Sequence, residues 1–304
     1  MLSAQSARKR RWGRALVGAA AFCAVALIAG VVTAGFLLSS AAPETVGPPP
    51  VDLNANDVVI KSASGATLQG WFIVGRPGGG AVVLLHGVRG NRWYMIGRAR
   101  QLSAEGFSVL LFDFQASGES SGSRITFGWL EGMDAESAVA WLRAKLPAEK
   151  VGVVGSSLGG AAALLAPRPL AVDALVLESV YSDIGTAISN RIGIVVGQPF
   201  AAFVARPAAW LFEVILPPFL GIRPSDLRPI DRIGHVVAPV MIASGTDDTR
   251  TTLAETQAMF DRAPMPKILW VVDGFGHGDL ESFAPAEYRR RVLGFLAERL
   301  RQSR

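Results

Sequence analysis

Ser157 stands at the centre of Gly155-Ser156-Ser157-Leu158-Gly159, between the apolar run Val151–Val154 and the alanine-rich segment Gly160–Ala166. G-x-S-x-G between a strand and a helix is a nucleophile elbow, a sharp turn that presents the central hydroxyl at the edge of a sheet. Gly155 and Gly159 leave out side chains that would collide inside the turn, and the following helix N-terminus favours developing negative charge. A serine hydroxyl is a weak nucleophile and needs a base. The chain has three histidines. His235 precedes a Pro-led strand and reads as a surface turn. His86 ends a strand ahead of the first long helix. His277, in Gly274-Phe275-Gly276-His277-Gly278, follows the last strand and precedes the C-terminal helix, so it shares the elbow's edge of the sheet and is the expected base. The orienting acid should follow an intervening strand. Ser244-Gly245-Thr246-Asp247-Asp248 does so, and spacing does not choose between its two aspartates; Asp273 is an outside candidate at a strand end.

The elements needed to position these groups are legible as alternation. Val58–Lys61 and Thr67–Val74 form an antiparallel opening pair. Fuller apolar runs follow at Ala81–Leu85, Phe107–Phe112, Val151–Val154, Ala174–Leu177, Val240–Ala243 and Ile268–Val272, as a parallel sheet covered on both faces requires. Helical patterns fall at 92–105, 129–146, 157–166, 252–262 and 285–302. This predicts one doubly wound α/β domain over 57–304. The interval 183–226 breaks the alternation and carries Phe200, Phe203, Trp210, Phe212 and Phe219. It is too long for a plain crossover and is expected to cap the site, with packing onto the body as the competing reading.

On these motifs the chain resembles the α/β-hydrolase fold serine hydrolases, similar to the serine aminopeptidase and lysophospholipase-like branch, over nearly everything from residue 57 to 300. The resemblance implies an α/β-hydrolase fold, with a mostly parallel doubly wound sheet and a short helical cap. It implies the chain order Ser157, Asp248, His277, since Gly245-x-x-Asp248 matches the family's G-x-x-D and selects Asp248. His86-Gly87 matches the HG motif, which gives the backbone N–H of Val88, with that of Leu158, to an oxyanion hole. In Asp113–Ser120 the family's D-x-R-G-x-G-x-S is only partly kept, Gln115 and Ala116 replacing Arg and Gly. After Asp248, Arg250-Thr251 stand where the family often has Pro. The activity implied is acyl transfer to water on a small acyl substrate, lipid-like ones included, with no cofactor and no metal. A non-catalytic binding protein and an amide or peptide hydrolase of the same fold are the rival readings.

Composition settles what surrounds this domain. The 304 residues are 50% hydrophobic and 18% charged, which excludes a disordered chain, and a single Cys excludes a disulfide scaffold. The net charge of +5 comes from Arg8, Lys9, Arg10, Arg11 and Arg14; without them 25 bases face 25 acids, so the basic pI points to no nucleic-acid partner. Ala15–Leu38 holds no charge, and its length, about 36 Å as a helix, exceeds the roughly 30 Å of a bilayer core. The expectation is a basic tail (1–14), an uncleaved transmembrane signal anchor (15–38), with cleavage after a signal peptide at Ser39-Ser40-Ala41 as the competing reading, and a Pro-rich, semi-rigid spacer (39–56) that holds the catalytic domain outside the cytoplasm at the inner membrane.

Overall fold

Four strands are buried at every residue: β3 (Ala81–Leu85), β4 (Ser108–Phe112), β6 (Ala174–Glu178) and β7 (Val240–Gly245). They are the continuous apolar runs of the sequence, and in the computed structural model they form the middle of an eight-stranded sheet with β5 (Val151–Ser156). The edges are β1 (Asn56–Lys61) beside β2 (Thr67–Ile73), and β8 (Lys267–Val272), with exposed faces that fit strands covered on one side. The order is β8-β7-β6-β5-β3-β4-β2-β1. Only β2 runs against its neighbours. The opening antiparallel pair and the parallel remainder match the expectation. The structure describes residues 2–197, 207, 209–211, 214 and 220–302.

Two hydrophobic layers cover the sheet. On one face, α3 (Trp129–Lys145), α4 (Leu158–Leu165) and α6 (Leu253–Arg262) contribute Ala138, Leu142, Leu164 and Met259. On the other, α2 (Ile96–Ala104) and α7 (Gly294–Leu300) contribute Leu102, Leu296 and Leu300. Because β3, β5, β6, β7 and β8 are mutually parallel, the loops after them gather at one edge, and every candidate site residue lies there.

The N-terminal helix α1 runs without interruption over Leu2–Ser39. Among the described residues no helix is long and apolar enough to cross a membrane, so the spanning role expected of 15–38 finds no support at this level. Within 39–56 the chain is attached to the domain rather than standing off it. Ala42 and Pro43 pair in parallel with Ser117 and Gly118. Glu119 Oε1 accepts the N–H groups of Val46 (3.1 Å) and Gly47 (3.2 Å), and Trp93 Nε1 donates to Val46 O (3.0 Å). An extended backbone leaves N–H groups to be paired outside itself, and here the 116–119 loop accepts those of Ala42, Glu44, Val46 and Gly47.

Candidate active site

The turn between β5 and α4 is as tight as the elbow motif demands. Ser157 has φ 52° and ψ −112°, a sparsely populated conformation for a residue with a side chain. A Cβ at Gly155 would sit 2.6 Å from Gly160 N, and one at Gly159 would sit 2.2 Å from Leu85 O, so both positions require glycine. Ser157 N donates to Glu178 O on the adjacent strand (2.8 Å). The Glu178 carboxylate is itself buried, clasped by Arg98 Nη2 (2.6 Å) and the Tyr288 hydroxyl (2.6 Å). This ionic cluster, which no sequence motif announced, braces the elbow from behind.

Ser157 Oγ lies 3.1 Å from His277 Nε2, and His277 Nδ1 lies 2.9 Å from Asp248 Oδ2. A carboxylate can only accept, so Nδ1 carries the proton and Nε2 presents its lone pair to the serine. Asp248 is held in turn: Oδ1 accepts from Arg250 N (2.9 Å) and Thr251 N (2.8 Å), and Oδ2 accepts from Thr251 Oγ1 (2.7 Å). Burial alone would raise the Asp248 pKa; the hydrogen bond and charge of His277 and the bonds from Thr251 outweigh it, lowering the value to about 2. Asp247 is exposed and accepts from Thr246 Oγ1 (3.1 Å), and Asp273 shares that hydroxyl at 3.4 Å. Neither is bonded to His277. Gly245 explains how the Asp248 loop meets the His277 loop, since a Cβ there would fall 1.8 Å from Phe275 O. Thr251 was missed by sequence reasoning; its only signal was its place in the Arg250-Thr251 departure.

His86 occupies the same edge but faces inward. Its Nδ1–H donates to Gly87 O (2.8 Å) and its Nε2 accepts from Phe114 N (3.0 Å). Full burial depresses its pKa to about 4, so the ring is neutral. It fixes the loop that carries Val88 past Ser157, where a Cβ on Gly87 would lie 3.7 Å from Ser157 Cβ. Leu158 opens α4, and the N–H of a first helical residue has no partner within its own helix. Both expected oxyanion residues thus line the Ser157 cavity. Arg89, after Val88, donates to Leu37 O (2.8 Å) and Ser40 O (3.2 Å), tying this loop to the end of α1.

The cavity at Ser157 is walled by Phe127, Tyr181, Ile184 and Ile188, with Leu38 from the end of α1 and Arg191 at its rim. Ile184, Ile188 and Arg191 belong to α5 (Ile184–Val196), which begins the expected cap. Of the five cap aromatics, Phe200, Phe203, Phe212 and Phe219 lie outside the described residues, and Trp210 is exposed. His235 sits on a separate surface cavity with Arg232 and Leu164. Among the described residues no group of three or more His, Cys, Asp or Glu side chains could hold a metal ion. The Ser157 arrangement is suited to proton transfer from Oγ to Nε2 during nucleophilic attack.

Comparison with known proteins follows the same geometry. Residues 80–192 match the model of the alpha/beta hydrolase fold. An uncharacterized protein of Mycobacterium tuberculosis, Rv2307c, is 31% identical over 252 residues, covering 80% of this chain and 79% of that one. The lysophosphatidylserine lipase ABHD12 of Danio rerio is 26% identical over 197 residues, covering 62% of this chain and 48% of the lipase. Among solved structures, the Pyrococcus furiosus esterase Pf2001 superposes with a TM-score of 0.70 at 27% identity, covering 86% of this chain and 98% of the esterase.

Proposed function

Because the chain belongs to the alpha/beta hydrolase fold family, we propose that it is a serine hydrolase that cleaves a carboxylic ester or related acyl bond through Ser157, His277 and Asp248. The observation that carries the reading is the unbroken relay from Ser157 Oγ to His277 (3.1 Å) and on to Asp248 (2.9 Å). Ser157 Oγ attacks the carbonyl carbon while Nε2 takes its proton. The N–H groups of Val88 and Leu158 hold the oxyanion; loss of one such donor typically costs on the order of 10²–10³ in rate. The proton then passes to the departing alcohol oxygen as the C–O bond breaks. Water, deprotonated by the same imidazole, attacks the acyl-serine and releases the acid. Asp248 keeps the tautomer and balances the imidazolium. The Pf2001 neighbour, an esterase, supports ester over amide cleavage.

The test is labelling of the purified protein by a fluorophosphonate, with Ser157→Ala as control. Labelling lost in the variant supports the mechanism; a parent protein that stays unlabelled and hydrolyses no ester leaves a binding protein of the same fold.

Membrane attachment through 15–38, with the catalytic domain outside the cytoplasm at the inner membrane, is part of the proposal. It is supported by the basic cluster Arg8–Arg14 ahead of an uncharged run. Protease added to spheroplasts should digest the domain; a domain protected until lysis reverses the topology.

A further inference from the structure

Arg191 is the only charged side chain among the described residues that wall the Ser157 cavity. One of its nitrogens, Nη1, donates to Ala187 O a turn earlier in α5 (2.9 Å). Among the described residues it makes no ion pair. The carboxylates whose charge reaches it, Asp248 and Glu255, are already occupied. Asp248 accepts from His277, from two backbone N–H groups and from the Thr251 hydroxyl. Glu255 accepts from Ser182 Oγ (2.8 Å), Asn190 Nδ2 (2.7 Å), Thr252 N (2.9 Å) and Thr252 Oγ1 (3.0 Å). An ionised carboxylate offers about four lone-pair sites, so neither has one to spare, whereas a guanidinium has five N–H donors in a planar fork.

The remaining donors of this half-buried guanidinium are free for water or for a ligand, and an anion that takes them from the cavity side makes charge-assisted hydrogen bonds, about twice as strong as neutral ones. The wall is also graded. Leu158, Tyr181, Ile184 and Ala187 are buried, and Arg191 is half-buried. An acyl chain therefore fits the buried side, and the group near Arg191 stays partly hydrated.

Resting on the Ser157 hydrolase reading, we propose that Arg191 recognises an anion on the alcohol side of the scissile ester, so that the substrate joins an apolar acyl group to a phosphate- or carboxylate-bearing alcohol. Two sources share this chemistry: a single-chain anionic lipid held in a membrane, and a soluble short-chain acyl ester of an anionic alcohol.

The experiment compares kcat/KM within two matched pairs, using the full chain in neutral detergent. One pair is 1-oleoylglycerol and its 3-phosphate; the other is 1-butyrylglycerol and its 3-phosphate. In the parent protein the anionic member of at least one pair should be favoured about 10- to 100-fold, the range expected for a charge-assisted hydrogen bond. A preference confined to the oleoyl pair identifies the lipid source, and one confined to the butyryl pair the soluble source. Arg191→Gln should bring the ratio close to one. Arg191→Met, which keeps the apolar stem, provides the same reading if the glutamine variant folds poorly. Fluorophosphonate labelling of Ser157 reports an intact nucleophile in each. A labelled parent without anion preference, or a preference that survives loss of the guanidinium, overturns the inference while leaving the hydrolase reading standing. No labelling and no ester turnover in the parent would remove both.

Discussion

His86 and His277 are both histidines in loops at one edge of one sheet, with three strands between theirs, and the structure gives them opposite surroundings. The nitrogens of His86 are both consumed by backbone, Nδ1 by Gly87 O and Nε2 by Phe114 N, and the ring is inaccessible. His277 has a carboxylate on Nδ1 and a serine hydroxyl on Nε2, with its side chain 13% exposed. A buried imidazole with two backbone partners is a neutral strut, because adding a proton would set Nε2–H against the Phe114 N–H. An imidazole between an acid and a hydroxyl is a base whose proton has somewhere to come from and somewhere to go. What separates them is the partner at each ring nitrogen, not position along the chain.

The comparison is most open to attack at His277. Ser157→Ala and His277→Ala should each lower kcat on an activated ester by about 10⁴-fold or more, with the double variant scarcely worse, because the groups act as a unit. Asp248→Asn should follow at about 10³- to 10⁴-fold, since the amide favours the wrong tautomer of His277. Asp247→Asn should leave kcat within a few-fold of the parent. A His86 variant that folds normally yet loses as much activity as His277→Ala would break the distinction.

Next in size is a stability effect. The pKa of His86 falls from 6.5 to about 4 on folding, chiefly through burial. Between those values the unfolded chain binds a proton that the folded chain does not, so this group's contribution is complete above pH 6.5 and lost as pH drops toward 4. The loss amounts to about 3 kcal/mol at most. Asp134 acts in the opposite sense: burial raises its pKa to about 6 against the hydrogen bonds of Ser62 and Ser64, so in the same window the folded state takes up its proton first. Urea midpoints for the parent and His86→Asn isolate the histidine. The variant should be less stable at pH 7 and lose less between pH 6.5 and 4; parallel pH profiles for the two would contradict a neutral, buried His86.

The smallest effect tests the cavity beyond His277. With an apolar wall built by Phe127, Ile184 and Ile188, each CH₂ added to an acyl chain should gain up to about 0.8 kcal/mol until the space is filled. Rates for p-nitrophenyl acetate, butyrate, hexanoate and octanoate should therefore rise to an optimum. A steady fall from acetate would show that the wall takes no acyl chain.

Much of this was legible because it is local. An apolar run followed by G-x-S-x-G encodes a strand, a turn too tight for a side chain and a helix, all within a few residues, and the order of Ser157, Asp248 and His277 follows from which runs are strands. The choice between Asp247 and Asp248 lay at the limit: adjacent side chains point in different directions, and only the family spacing separated them. Where Thr251 locks Asp248, where Arg191 meets the cavity, how Arg89 ties the Val88 loop to α1, and why residues 42–47 lie along the body could not be read from the chain. Each depends on groups brought together from distant segments, such as Arg89 with Leu37 and Glu119 with Val46. The sequence by itself determined which residues could do the chemistry, because strand and turn formation depend on near neighbours. Only the tertiary structure decided which hydrogen bonds those residues make and which apolar walls surround them, because side-chain partners are chosen by packing across the sheet edge.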